Sequence, residues 1–193
     1  MKRVSMVFVL VLGMAGVVSA QRQMDPSFRY YAQPGLVNIT EFNYGMGMSI
    51  FSDDTLGQNS YFGLTNVVGY QANRNFLFGL GIGYLRYDSG NLFPLFMEFK
   101  YSVYLKGITP YFYADAGALL SFSEFDAETK IFANPGIGAS FCISPHVELN
   151  LSAGYNVQAR TTITSVEFLT FKAGVSYRLQ PYRMLKAKNN RYY

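Results

Sequence analysis

The residue types that most often carry chemistry are scarce in this chain. It holds one histidine, His146, and one cysteine, Cys142. A multi-histidine metal centre and a disulfide framework both need more. A serine nucleophile ordinarily leans on an adjacent base, and the sole imidazole lies in the turn Ser144-Pro145-His146, between two alternating stretches. Gly79-Leu80-Gly81-Ile82-Gly83 resembles a nucleotide loop only superficially. That fingerprint needs a helix directly after it and an acid about 20 residues on, and here strand-like alternation simply continues. Asp53-Asp54 with Thr55 could hold a cation weakly but reads as a solvated loop. Asn38-Ile39-Thr40 and Asn150-Leu151-Ser152 fit the glycosylation pattern within strands, where they are discounted. No cofactor, metal or catalytic set is expected.

What remains is a set of charges at strand-like spacing. Glu41, Glu98, Asp115 and Glu148 share the less bulky parity of their stretches with Lys100, Arg160, Lys172 and Arg178. Four acids and four bases enclosed together would pair one-for-one, which removes most of the penalty for burying them.

The elements positioning these charges are predicted to be strands. Phe42, Tyr44, Met46, Met48 and Ile50 alternate with Glu41, Asn43, Gly45, Gly47 and Ser49, and Phe78, Leu80, Ile82 and Tyr84 alternate with glycines. Similar stretches of about ten residues run near 95–104, 112–121, 134–143, 148–158 and 169–179. Residues 61–71 are less clean, because Asn66 falls among Leu64, Val68 and Tyr70. That makes eight strands of period two. Short turns at 72–75, 106–109 and 144–146 alternate with polar, mostly longer connections at 52–60, 88–91, 122–130 and 161–166, which together hold six acids against Lys130. Short turns at one end and longer loops at the other match a bacterial outer-membrane barrel.

Volume decides which parity faces out. An eight-stranded barrel is just wide enough for side chains to fill, so some five bulky residues per strand would overfill it. The glycine-rich set suits the narrow lumen. Charged residues make up only 15% of the chain, against roughly 25% in soluble domains. Bulky side chains are therefore predicted to face lipid. Tyr and Phe near the strand ends would form interfacial girdles in place of the absent Trp.

The ends read differently. Residues 1–20 show a basic start at Lys2-Arg3, an apolar stretch from Val4 to Val18, and small residues through Ala20. This predicts a signal peptide cleaved between Ala20 and Gln21. Residues 21–34 are expected to be a periplasmic lead-in, 35–180 the barrel, and 181–193 a basic solvated tail. The tail could also touch anionic cell-wall polymer. Those ends carry the positive excess, since residues 21–180 total −2. The basic pI of about 9.1 therefore points to no nucleic-acid partner.

The chain resembles the small outer-membrane β-barrel proteins of the OmpA/OmpX type, in particular the porin-like outer membrane β-barrel domain family. Its last strand, Lys172-Ala173-Gly174-Val175-Ser176-Tyr177-Arg178-Leu179, matches that family's insertion signal. The resemblance implies that the barrel-assembly machinery reads Lys172, Gly174, Tyr177 and Leu179. Here 14 residues follow the signal, whereas typical members end at or just after it. The fold class expected is all-β, an eight-stranded antiparallel up-and-down transmembrane β-barrel. The expected protein is a monomeric, non-enzymatic resident of the outer membrane of a Gram-negative-type bacterium, with a closed, salt-bridged lumen and the surrounding lipid as partner. A narrow channel is the alternative. A lipid-modifying enzyme and a soluble ligand-binding barrel stand behind it.

Overall fold

The structure is a computed structural model and describes residues 30–48, 60–87, 90–121, 129–159 and 165–184. The expected signal peptide with its cleavage site, the base Arg160, the tail beyond Met184 and most of the longer loops lie outside these residues.

Among the described residues ten strands follow one another: β1 (Tyr30–Tyr31), β2 (Gly35–Met48), β3 (Ser60–Gln71), β4 (Phe76–Tyr87), β5 (Gly90–Ser102), β6 (Thr109–Leu120), β7 (Lys130–Ser144), β8 (Val147–Ala159), β9 (Ser165–Arg178) and β10 (Arg183–Met184). Strands β2 to β9 form a closed barrel, each antiparallel to the next, with β9 returning to pair with β2 from Val37↔Arg178 to Met48↔Glu167. No helix occurs among the described residues.

Alternation sets the wall as predicted. On β2 the even positions are outward and the odd ones buried, and the same rhythm runs around the barrel. Leu80 is 66% exposed, Met97 65% and Phe112 62%, whereas Asn150, Glu148 and Arg178 are at most 2% exposed. Soluble monomers rarely expose a continuous apolar belt of this kind. Closure also removes the open edges that would otherwise invite aggregation.

β2 starts earlier than the sequence pattern suggests. Its outward positions Asn38 and Thr40 are polar, which hides the apolar alternation until Phe42. Two prolines mark the ladder. Around Pro94 the β4–β5 pairs stop at Ile82↔Leu95 and resume at Leu85↔Leu92. Around Pro135 the β7–β8 pairs stop at Ala133↔Val157 and resume at Gly136↔Gly154. Proline has no N–H to donate, so a ladder breaks beside it.

β1 and β10 pair with each other outside the barrel, Tyr30↔Met184 and Tyr31↔Arg183. The lead-in and the first residues of the tail, expected to be separate solvated segments, thus meet at the short-turn end.

Candidate functional site: a layered lumen and its covered mouth

The lumen is filled in three layers. Nearest the loops lies an aromatic plug. Tyr61 sits 4.8 Å from Tyr87 and 5.1 Å from Phe168, centroid to centroid. Phe96 meets Phe132 at 6.0 Å. The phenols are bonded as well as buried. Tyr61 Oη shares a hydrogen bond with Thr170 Oγ1 at 3.0 Å, and Gln158 Nε2 donates to Tyr87 Oη at 2.7 Å.

The lumen set was read as small and glycine-rich, although its parity includes Phe96 and Tyr113. Register explains how both hold. Tyr61 lies opposite Gly45, Phe96 opposite Gly81 and Gly117, Tyr113 opposite Gly136, and Tyr111 opposite Gly138. A Cβ added at Gly45, Gly81, Gly136 or Gly138 would fall into the facing ring. The glycines seat the rings, and the rings restore the packing that a bare strand lacks.

At the waist is the first ionic cluster. Lys172 Nζ lies 2.6 Å from Asp115 Oδ2 and 3.2 Å from Glu41 Oε2. Asn134 Nδ2 donates to the same Asp115 oxygen at 3.1 Å, and the ammonium stands 4.5 Å over the Tyr113 ring. A cavity of about 20 Å³ lies between Asn43, Tyr61, Asp115, Asn134, Asn156 and Lys172, room for about one water.

The third layer, toward the turns, centres on Arg178. Its Nε meets Glu148 Oε1 at 3.1 Å, and an Nη donates to Gln71 Oε1 at 2.8 Å. Beside it, Asn150 Nδ2 donates to Ser176 Oγ at 2.6 Å. The Asn150 Oδ1 accepts from Ser140 Oγ at 2.7 Å and from Lys100 Nζ at 3.4 Å. Lys100 Nζ stands 3.8 Å over the Tyr111 ring.

Seven of the eight charges assigned from sequence therefore converge in the lumen, all buried, and Arg160 lies outside the described residues. Their pairing departs from one-for-one. Lys172 takes two carboxylates, and Glu148 takes Arg178 alone. Among the described residues Glu98 and Lys100 make no ion pair, although Glu98 is register partner of Asp115. Parity alone reports which residues face inward and not which of them meet.

Below the third layer a small cluster covers the turn end. Ala32, Tyr104 and Tyr182 are buried together, with Tyr31 and Cys142 packed against them. Burial pushes the Tyr104 phenol up to about 12, so it stays neutral. Arg178 stands 5.1 Å under the Tyr182 ring, and Arg74 lies 5.4 Å from the Tyr31 ring. The chain after β9 is pinned by Tyr182 N–H donating to Pro145 O and Leu179 N–H to Leu36 O. His146 Nδ1 lies 2.8 Å from Arg178 O, and its ring stacks on Tyr177. The imidazole is thus a turn component at this mouth, and among the described residues its partners are Arg178 O and the Tyr177 ring, with no serine bonded to it.

Truncating Tyr182 to alanine should uncover this end. Removing a well-packed aromatic costs about 3–5 kcal/mol, and a third of that raises access about tenfold. Alkylation of Cys142 by a water-soluble maleimide should accelerate by that order in Tyr182→Ala. An unchanged rate would show that the cluster covers nothing.

Of the last-strand residues, Lys172 and Gly174 point inward, while Tyr177 and Leu179 are 54% and 59% exposed on the outer wall.

Solved structures share this architecture. Neisserial surface protein A is similar over 75% of this chain and 97% of its own, with 18% identity and a TM-score of 0.62. The N-terminal β-barrel domain of Pseudomonas aeruginosa OprF is similar over 75% of this chain and all of its own, with 16% identity and a TM-score of 0.50. No protein-family model and no curated protein matches the sequence. At these identities the likeness is one of fold, that of the small eight-stranded transmembrane β-barrel.

Proposed function

We propose that this chain is an integral outer-membrane protein of a Gram-negative-type bacterium, non-enzymatic and non-conducting, acting through its walls and rims rather than through its interior. The filled lumen carries this conclusion. An aromatic plug, a lysine shared by two carboxylates, an arginine–carboxylate pair and a covered turn end succeed one another along the axis. The waist cavity holds about 20 Å³, and a conducting barrel needs a continuous aqueous path. The ions serve to hold eight strands around a narrow centre. In the same proposal, Lys172, Gly174, Tyr177 and Leu179 address the chain to the assembly machinery, and the barrel works as a monomer.

Planar-bilayer recording on purified, heat-modifiable protein tests the closed lumen. Flat current traces are expected. Discrete steps that change in Glu98→Gln or Lys100→Met would make the chain a narrow channel. Altered lipid A in cells carrying the gene, compared with cells lacking it, would instead support a lipid-modifying enzyme.

A further inference from the structure

The outer wall of the barrel is largely apolar, with Arg86 and Glu167 outward close to strand ends. Away from the strand ends and apart from tyrosines, the polar outward residues of the described strands are Asn38, Thr40 and Asn66, side by side on β2 and β3. They bond one another. Asn38 Nδ2 donates to Asn66 Oδ1 at 3.0 Å, and Asn66 Nδ2 returns the bond to Asn38 Oδ1 at 3.1 Å and donates to Thr40 Oγ1 at 2.8 Å. The ring leaves groups unused. One Asn38 amide hydrogen, the Thr40 hydroxyl hydrogen and spare lone pairs on both amide oxygens take no part in these bonds. Asn66 sits midway along β3, on an otherwise apolar stretch of wall where an unmet polar group is costly.

The second observation is a groove of about 460 Å³ that ends at this cluster. One lip is the register row Leu64, Tyr84, Phe93 and Leu120. The other begins at Asn66 and continues through Ile82 and Leu95. The floor is Thr65, Gly83 and Pro94, where the β4–β5 ladder is interrupted. Across three strand spacings of about 4.8 Å the trough is about 14 Å long.

From the groove and the amide cluster together, we infer a specific lipid site on the outer wall. It rests on the membrane reading above. One acyl chain lies in the trough between the two rows, and a carbonyl or hydroxyl of the same lipid meets Asn38 and Thr40 at its β2 end. A slender chain fits this concavity. The convex wall of a second barrel would bridge its lips and leave it empty, which argues against a second copy as the occupant.

The test uses the intact protein in vesicles of phosphatidylethanolamine and phosphatidylglycerol with a trace of phosphatidylcholine carrying a photoreactive diazirine in one acyl chain. After irradiation, peptide mapping should find Leu64, Tyr84 and Leu95 labelled about tenfold more than Phe171 and Leu151. The enrichment should fall about tenfold in Asn38→Leu/Thr40→Val, by loss of the two hydrogen bonds to the lipid inside a membrane. Leu95→Trp, which fills the trough and keeps the wall apolar, should abolish it. Labelling spread evenly around the belt of a floated, heat-modifiable barrel would overturn the site. So would rapid disulfide joining of two barrels through Asn66→Cys in a Cys142→Ser background, because a second copy would then occupy the patch. A protein that fails to float with the vesicles would overturn the membrane reading itself.

Discussion

Replacing Lys172 by methionine is expected to destabilise the barrel by about 3–5 kcal/mol, the usual cost of stranding a buried counter-charge. Lys172 Nζ is held by two carboxylates, Asp115 at 2.6 Å and Glu41 at 3.2 Å, in a site where all three side chains are almost fully buried. Methionine matches the aliphatic stem but leaves both acids without their cation. The loss should appear in urea titrations of the vesicle-inserted protein as a lower midpoint with an unchanged slope. The triple variant Lys172→Met/Glu41→Gln/Asp115→Asn should recover most of the stability, since replacing a whole buried ionic group is often nearly neutral. A full-sized loss that the triple variant does not relieve would show that the lysine acts through packing. Because Lys172 also belongs to the proposed insertion signal, insertion yield and equilibrium stability must be read separately. Only stability should return in the triple variant.

Gly81→Leu is the second large effect expected. The nearest atoms to an added Cβ at Gly81 all belong to the Phe96 ring, its register partner on β5. That ring in turn meets Phe132. Overpacking of this kind costs about 1–3 kcal/mol and sometimes more. The obstruction is a side chain and not backbone, so it can be removed. Phe96→Ala alone should destabilise by emptying the seat, and Gly81→Leu/Phe96→Ala should be more stable than either single change. That coupling is the signature of direct contact. Additive losses would mean that glycine serves only strand curvature at this position.

These two expectations separate what the sequence disclosed from what it did not. The wall could be read because alternation and lumen volume suffice to orient a strand. Phe99 and Phe171 are 37% and 43% exposed while Asn150 is 1% exposed, the arrangement that volume demands. The seating of Phe96 on Gly81 could not be read, because it depends on register between strands. Parity tells which residues face inward and says nothing of which meet. The same ignorance of register made the lumen charges look paired one-for-one, when Lys172 gathers two acids and Lys100 rests on Tyr111 and Asn150. Pairing of Tyr30–Tyr31 with Arg183–Met184 was invisible for another reason. Two residues carry no period, and what holds them is the cluster of Ala32, Tyr104 and Tyr182. Asn66, which made β3 the least regular stretch, was a true signal. It lies outward on the wall and is bonded to Asn38.

The absence of tryptophan allows the orientation of the whole wall to be measured without background. Single tryptophans placed at Leu80, Phe171, Phe96 and Phe168, in vesicles whose lipids carry brominated acyl chains, report which side chains touch hydrocarbon. Strong quenching of Leu80→Trp and Phe171→Trp, with Phe96→Trp and Phe168→Trp spared, is the predicted result. Quenching of the second pair with protection of the first would turn the barrel inside out, and with it the filled lumen on which the proposed function rests.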